Sequence, residues 1–184
     1  MGLAVKPDYG IDMAINFHSR RVLLPGFFIL MAVSVLVGCS TDIPALAKNK
    51  ATPEFNLKNL QGQTIEFPKQ FDNQVVIISF WADWCPSCYR EMSDLENIFQ
   101  QYKNQGLSIL AINIEQDRKT AIAFMGNLKL SYETLFDSNG DTARNYSVSA
   151  LPAAFIINKD GTLHTRVLGE TPPEVFQKIL GKLL

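Results

Sequence analysis

The residues in this sequence with the clearest chemistry are two cysteines, Cys85 and Cys88, which are separated by Pro86 and Ser87. They follow an apolar run, Val75–Trp81, that predicts a buried strand, and they open a segment with helical periodicity. A cysteine near a helix N-terminus is stabilised as a thiolate by unpaired N–H groups and the helix dipole. A second cysteine one turn later is close enough to form a disulfide. Spacing of this kind, at a strand–helix joint, indicates a redox-active dithiol.

Two other roles for the cysteine pair are a zinc site and a purely structural disulfide. A zinc site usually needs four ligands, and the sequence offers three cysteines and two histidines, His18 and His164. Since His18 lies in a segment that we expect to be removed, no metal site is predicted. A disulfide that closes so small a loop adds little stability through loop entropy, which favours the redox role.

The elements that must position the dithiol alternate along the chain. Strands are predicted at 55–58 and 63–67, which form a hairpin, and at 75–81, 107–114, 134–136, 153–158 and 162–168. Helices are predicted at 86–103, 118–130 and 172–184, with a short helical turn at 142–146. This order predicts an α/β fold with a mixed sheet and helices on both faces.

Two of these helices come with a predicted buried face. The side chains expected to point inward from the helix at 118–130 are Ile122, Phe124, Met125 and Leu128. Those expected to point inward from the last helix are Val175, Phe176, Ile179, Leu180 and Leu183.

Residues 1–38 have the pattern of an export signal. Arg20 and Arg21 precede an uncharged apolar run at 22–37, which is shorter than a membrane-spanning helix. Leu-Val-Gly-Cys at its end is similar to the lipobox of bacterial lipoproteins, in which cleavage exposes a cysteine that carries diacylglycerol; here that residue is Cys39. The alternatives are an uncleaved anchor with an incidental cysteine, translation from Met13, and twin-arginine export in place of general secretion.

This partition predicts a lipoprotein-type signal peptide at 1–38, a lipid-anchored tether at 39–53 and one domain at 54–184. It accounts for all three cysteines, because Cys39 takes the lipid and Cys85 pairs with Cys88. The expected location is extracytoplasmic, on a bacterial membrane and facing the periplasm or the cell exterior. The net charge of −1 gives no electrostatic reason to expect nucleic acid, and no cofactor is predicted.

Residues 52–184 resemble the thioredoxin superfamily, and within it the TlpA/ResA-type extracytoplasmic branch. The matching motifs are Phe-Trp-Ala-Asp-Trp-Cys-Pro-Ser-Cys at 80–88, followed by Glu91, and Val-Ser-Ala-Leu-Pro-Ala-Ala-Phe-Ile-Ile at 148–157. The resemblance implies a three-layer α/β/α fold with a mixed central sheet, an N-terminal β-hairpin and a central αβ insert. Two positions depart from thioredoxin, which has a buried aspartate at Ser79 and commonly a threonine at Ala153.

The resemblance also implies roles for the residues between and before the cysteines. Cys85 would attack a substrate disulfide, and Cys88 would resolve the mixed disulfide that results. Pro86 and Ser87 would tune the redox potential. Trp84 would cover the disulfide and contact partners, whereas Trp81 is expected to be a core residue and Asp83 a solvated charge at the rim.

Two further residues gain a role from the resemblance. Glu91, one helical turn after Cys88, would accept a proton from that thiol and so replace the function lost at Ser79. The alternative is an exposed helix glutamate without a role. Pro152 would be cis and face the disulfide, although most X–Pro bonds are trans.

The predicted function is reduction of protein disulfides by a membrane-tethered thiol–disulfide oxidoreductase. The resemblance implies electrons from a DsbD/CcdA-type membrane transporter and exported disulfide-containing clients such as apocytochrome c; we expect a monomer. Cysteine spacing does not determine the direction of electron flow. The alternatives are a peroxiredoxin-like peroxidase, which needs threonine where Ala82 stands, and a redox-inert binding module, against which the intact Cys85 and Cys88 argue.

Overall fold

The computed structural model describes residues 46–114, 118–126 and 128–184. Its strands are β1 (Phe55–Asn59), β2 (Thr64–Phe67), β3 (Val75–Trp81), β4 (Leu107–Ile114), β5 (Glu133–Asp137), β6 (Ala153–Ile157) and β7 (Leu163–Leu168). Its helices are α1 (Pro86–Tyr102), α2 (Arg118–Met125), α3 (Asp141–Asn145) and α4 (Pro173–Leu180), and a 3-10 turn (Lys103–Gln105) follows α1. The predicted order of strands and helices is confirmed.

The strands form one mixed sheet in the order β2-β1-β5-β4-β3-β6-β7. β3, β4 and β5 are mutually parallel, and the other neighbouring pairs are antiparallel. β3 is buried along its whole length. Its side chains alternate between two cores: Ile77 and Trp81 pack with α1, α2 and α4, whereas Ile78 and Phe80 pack with α3 and the β1–β2 hairpin. Helices therefore cover both faces, as predicted.

The parallel strands end at one edge of the sheet, which we call the dithiol edge. Trp81 ends β3 beside Asn113, and Ile114 pairs with Asp137 at the end of β5. β6 begins at this edge, since Ala153 pairs with Phe80. The opposite edge, where β6 ends and β7 begins, is called the far edge. Loops that follow parallel strands meet at their carboxyl ends, so the dithiol edge collects the candidate site.

Helix α2 is shorter than the helix predicted at 118–130, because it ends at Met125. Gly126 follows, and glycine is a poor helix former. Ala121 and Met125, four residues apart, form its buried face, whereas Ile122 is 42% exposed. The predicted inward orientation of Ile122 is therefore wrong, since it was based on a periodicity that continued beyond the actual end of the helix.

Helix α4 also ends before the predicted point, at Leu180. Phe176 and Leu180 are buried as predicted, but Val175 is 40% exposed. Neighbouring residues on a helix point about 100° apart. Val175 therefore cannot share the line that joins Phe176 to Leu180, and its predicted inward orientation is wrong.

The predicted tether at 39–53 is already hydrogen-bonded to the domain over its last residues. The N–H of Asn49 donates to the carbonyl of Leu163 at 2.7 Å, and the N–H of Leu163 donates to the carbonyl of Lys50 at 2.9 Å. Ala51 and Thr162 form an antiparallel bridge. The chain thus joins the domain at the far edge, before the predicted boundary at residue 54.

The predicted signal peptide and Cys39 lie outside the described residues. Within residues 46–114, 118–126 and 128–184, no helix is both long enough and apolar enough to cross a membrane.

Candidate active site

The dithiol lies where β3 passes into α1, as the sequence predicts. The N–H of Cys85 donates to the carbonyl of Ala82 at 3.2 Å, which turns the chain. Cys85 is the N-cap of α1 and Pro86 lies in its first turn. A proline is favourable there because the N–H that it lacks would have no partner within the helix.

Cys85 and Cys88 form a disulfide, with their Cα atoms 5.3 Å apart. The backbone N–H of Cys88 donates to Sγ of Cys85 at 3.2 Å, and Oγ of Ser87 lies 3.5 Å from the same sulfur. The two cysteines are 4% and 1% exposed, respectively. Once the disulfide is reduced, these donors and the positive end of α1 would stabilise a thiolate on Cys85.

Glu91 is a buried carboxyl group on the same helix face as Cys88, three residues further along α1. It is 3% exposed, and Oγ of Ser79 donates to its Oε1 at 3.2 Å. Burial raises the pKa of Glu91 to about 7; the Ser79 hydrogen bond opposes this, and the charges of Asp94 and Glu170 add to it. Glu91 is therefore not the exposed glutamate of the alternative hypothesis.

The Leu151–Pro152 bond is cis, as the resemblance to the TlpA/ResA-type branch implies. The carbonyl of Pro152 accepts a 2.8 Å hydrogen bond from the N–H of Gly169. The next residue, Glu170, accepts two hydrogen bonds of 2.6 Å from the guanidinium of Arg90 on α1. The cis-proline segment and the dithiol helix are thus connected through the loop between β7 and α4.

Two grooves adjoin the loop that carries the dithiol. Trp84 and Leu151 line one of about 190 Å³, and Asp83 and Phe124 line another of about 550 Å³. Trp84 is 67% exposed, so its ring is available to a partner. Trp81 is fully buried and stacks on Phe124 with ring centroids 5.4 Å apart, which confirms its predicted place in the core.

Sequence reasoning assigned no role to a second buried carboxylate, Asp137, at the same edge of the sheet. Asp137 is 1% exposed and accepts hydrogen bonds from the backbone N–H groups of Thr142, at 3.2 Å, and Ala143, at 2.8 Å. It caps α3. The signal available in the sequence was an aspartate at the start of the turn 137–140, just before a short helical segment. A second cis bond, Phe67–Pro68, was also not predicted.

Residues 38–166 match the AhpC/TSA family. The chain belongs to the AhpC/TSA family. This member is 30% identical over 134 residues to the thiol-disulfide oxidoreductase ResA of Bacillus thuringiensis subsp. konkukian, an alignment that covers 73% of this chain and 77% of that protein. It is 28% identical over 170 residues to ResA of Bacillus anthracis, covering 89% and 98% of the two chains.

A solved structure leads to the same fold. The crystal structure of a protein assigned as the thiol:disulfide interchange protein DsbE of Chlorobium tepidum matches this AhpC/TSA-family chain with a TM-score of 0.71 and 26% identity. The match covers 76% of this chain and all of the other. The resemblance to the TlpA/ResA-type branch, the thioredoxin-like fold and the prediction of an enzyme that exchanges thiols and disulfides are confirmed.

Proposed function

We propose that this thiol–disulfide oxidoreductase is tethered to the extracytoplasmic face of a bacterial membrane by a lipid on Cys39, and that it reduces disulfides of exported proteins. The observation that supports a reductive cycle is the buried carboxyl group of Glu91 on the dithiol face of α1, with a pKa near 7. A group of this kind can take up the proton that the second thiol must lose at neutral pH.

The first step forms a bond between enzyme and client. The Cys85 thiolate, stabilised at the N-terminus of α1, attacks one sulfur of the client disulfide. The client S–S bond breaks as the bond to Cys85 forms, and the other client sulfur leaves as a thiolate that takes a proton from water.

The second step releases the client. The Glu91 carboxylate accepts the proton of the Cys88 thiol, and Cys88 attacks the Cys85 sulfur. The bond between Cys85 and the client breaks, the second client thiolate leaves, and the enzyme disulfide forms. Two electrons have then passed from the dithiol to the client, and a membrane electron donor of the DsbD/CcdA type would restore the dithiol.

Client recognition is assigned to the groove of Trp84 and Leu151, which follows the segment before Pro152. An extended client segment would lie along this segment with its disulfide over Cys85. Apocytochrome c is a client that fits this scheme, since its two haem-binding cysteines must be reduced before haem attachment.

Trapping tests the reductive cycle. The variant Cys88→Ser should accumulate mixed disulfides between Cys85 and exported proteins, which mass spectrometry would identify. The matched variant Cys85→Ser, which keeps a free thiol at Cys88, should accumulate none. The absence of adducts in Cys88→Ser would contradict the mechanism, and rapid consumption of hydrogen peroxide by the wild-type enzyme would favour the peroxidase alternative.

Labelling tests the anchor separately. A palmitate analogue fed to cells should label the wild-type chain and leave Cys39→Ser unlabelled. Label that persists in Cys39→Ser, or no label on the wild type, would contradict the lipid anchor without affecting the redox mechanism.

A further inference from the structure

Several lysine side chains lie at the far edge of the sheet, opposite the dithiol. Three parts of the chain meet there: the segment that enters the domain, the first residues of β7, and the end of α4. The first two are joined by the hydrogen bonds between Leu163 and residues 49 and 50. Four lysines and one histidine lie in these three parts, and we call them the basic pole: Lys48, Lys50, His164, Lys178 and Lys182.

Members of the basic pole from different parts of the chain lie close enough to interact electrostatically. The pKa of His164 is lowered by partial burial and by the positive charges of Lys48 and Lys182, which belong to two different parts of the chain. Lys178 lies in the last turn of α4, and Lys182 follows just after the end of that helix. All four lysines are exposed.

Within the described residues, no salt bridge neutralises the lysines of the basic pole. Asp160, the acid of the adjoining hairpin, instead accepts two hydrogen bonds from Thr162. Lysines elsewhere differ: Lys58 donates to Thr64, and Lys69 is paired with Glu66.

The position of the basic pole relative to the proposed anchor is restricted by the chain itself. Six residues lie between Cys39 and Leu46, the first described residue, so the Cα atoms of these two residues can be at most about 25 Å apart. Lys48 follows two residues after Leu46. A lipid on Cys39 would therefore keep the basic pole within reach of the bilayer.

We propose that the basic pole binds the anionic phospholipid headgroups of the membrane that holds the tether. The inference rests on the lipid anchor of the proposed function. Each lysine near an anionic surface adds an attraction that reaches about one Debye length, about 8 Å at physiological salt. An acidic protein could meet the same charges, but a lipid on Cys39 would keep only the membrane permanently within reach of the basic pole.

This contact would orient the enzyme. β6 runs from the dithiol edge to the far edge over five residues, which is about 16 Å of strand. With the basic pole on the headgroups, the disulfide and the Trp84 groove face away from the bilayer, towards exported proteins. The oxidoreductase would thus hold its reactive edge open to soluble clients while it stays on the membrane.

Lysine labelling on liposomes tests the inference with the full lipid-modified chain. The protein is reconstituted in phosphatidylcholine liposomes with or without phosphatidylglycerol, and a membrane-impermeant amine reagent is added. Labelling of Lys48, Lys50, Lys178 and Lys182 should fall by roughly threefold or more on the anionic liposomes, and labelling of Lys58, near the dithiol edge, should not change. The difference should disappear in 1 M salt, where the Debye length is about 3 Å.

Charge reversal provides the matched variants. Lys178→Glu/Lys182→Glu should restore labelling of Lys48 on anionic liposomes, whereas Lys58→Glu should leave it protected. Protein that sediments with the liposomes but shows no protection overturns the basic-pole contact and leaves the anchor intact. Failure to sediment overturns the anchor and this inference with it. Protection in native membranes but not in protein-free liposomes would assign the basic pole to a protein partner and overturn the lipid.

Discussion

Two buried carboxyl groups, Glu91 and Asp137, face different surroundings at the same edge of the sheet. Both are almost inaccessible to water, with 3% and 1% exposure. Asp137 accepts hydrogen bonds from two backbone N–H groups at the start of α3. Glu91 accepts one, from the hydroxyl of Ser79, and lies near the negative charges of Asp94 and Glu170.

The comparison shows that the fold brings different donors to two equally buried carboxyl groups. Asp137 accepts hydrogen bonds from two fixed N–H groups at the start of α3, so its side chain stabilises that helix start. Glu91 lies inside α1, where its carboxyl group accepts no backbone N–H bond of this kind from the described residues. The single hydrogen bond from Ser79 compensates only a small part of the hydration that its charged form loses on burial. A carboxyl group in that position exchanges its proton near neutral pH, which suits a cycle in which a thiol must be deprotonated and reprotonated.

The largest effect should come from Glu91→Gln, which keeps the side-chain shape and removes the base. The rate at which Cys88 resolves a mixed disulfide should fall by about 100-fold at pH 7.5, and the rise of that rate around pH 7 should disappear. Stopped-flow measurement of client thiol release from a preformed mixed disulfide, between pH 5.5 and 9, gives both quantities. Asp137→Asn is the matched control and should keep the wild-type pH profile. An unchanged rate in Glu91→Gln would remove Glu91 from the mechanism.

Protonation of the Glu91 carboxyl group also makes the free energy of unfolding depend on pH. Glu91 has an ordinary pKa of 4.5 and a folded pKa of about 7, so in that window the folded protein holds a proton that the unfolded chain has lost. The free energy of unfolding should therefore fall as the pH rises from 4.5 to 7, by up to about 3 kcal/mol, and then level off. Urea denaturation of the oxidised protein at pH 5 and 8 measures this. Glu91→Gln should lack the decrease; an equal decrease in the variant would assign it to other groups.

Removal of the Asp137 carboxylate should destabilise the fold and leave proton transfer alone. Asp137→Ala deprives the N–H groups of Thr142 and Ala143 of their acceptors, a loss of about 2 kcal/mol in the free energy of unfolding. Asp137→Asn keeps one accepting oxygen and should lose about half as much. Urea denaturation at constant pH distinguishes the two variants. A changed pH profile of mixed-disulfide resolution in either variant would contradict the separation of roles between Asp137 and Glu91.

The sequence predicted the parts of the site that depend on local patterns. Val75–Trp81 is apolar throughout because both faces of β3 are covered, and Pro86 marks the start of α1; together they placed Cys85 and Cys88 correctly. The resemblance to a known branch added Pro152 and Glu91. The ends of α2 and α4 were placed too late, because a run of apolar residues can continue past the last helical turn.

Contacts between distant parts of the chain could not be predicted, because no local sequence pattern indicates them. The bridge between Ala51 and Thr162 joins residues far apart in sequence, and a short polar segment shows no periodicity to predict it. The two roles of Asp137 and Glu91 also depend on which donors the fold brings to each carboxyl group. The hydrogen bond from Ser79 to Glu91 crosses from β3 to α1 and follows from sheet register and helix placement together.

The smallest effect should come from Ser79→Ala, which removes the hydrogen bond that lowers the pKa of Glu91. The midpoint of the pH profile for mixed-disulfide resolution should rise above 7 by less than about one unit, with no loss of the maximal rate at high pH. Ser93→Ala is the matched control, because the Ser93 hydroxyl donates to the carbonyl of Tyr89 within α1 and has no bond to Glu91. A midpoint that stays fixed or falls in Ser79→Ala would mean that the pH profile reports the titration of a group other than Glu91. The hydrogen bond from Ser79 would then not explain how Glu91 differs from Asp137.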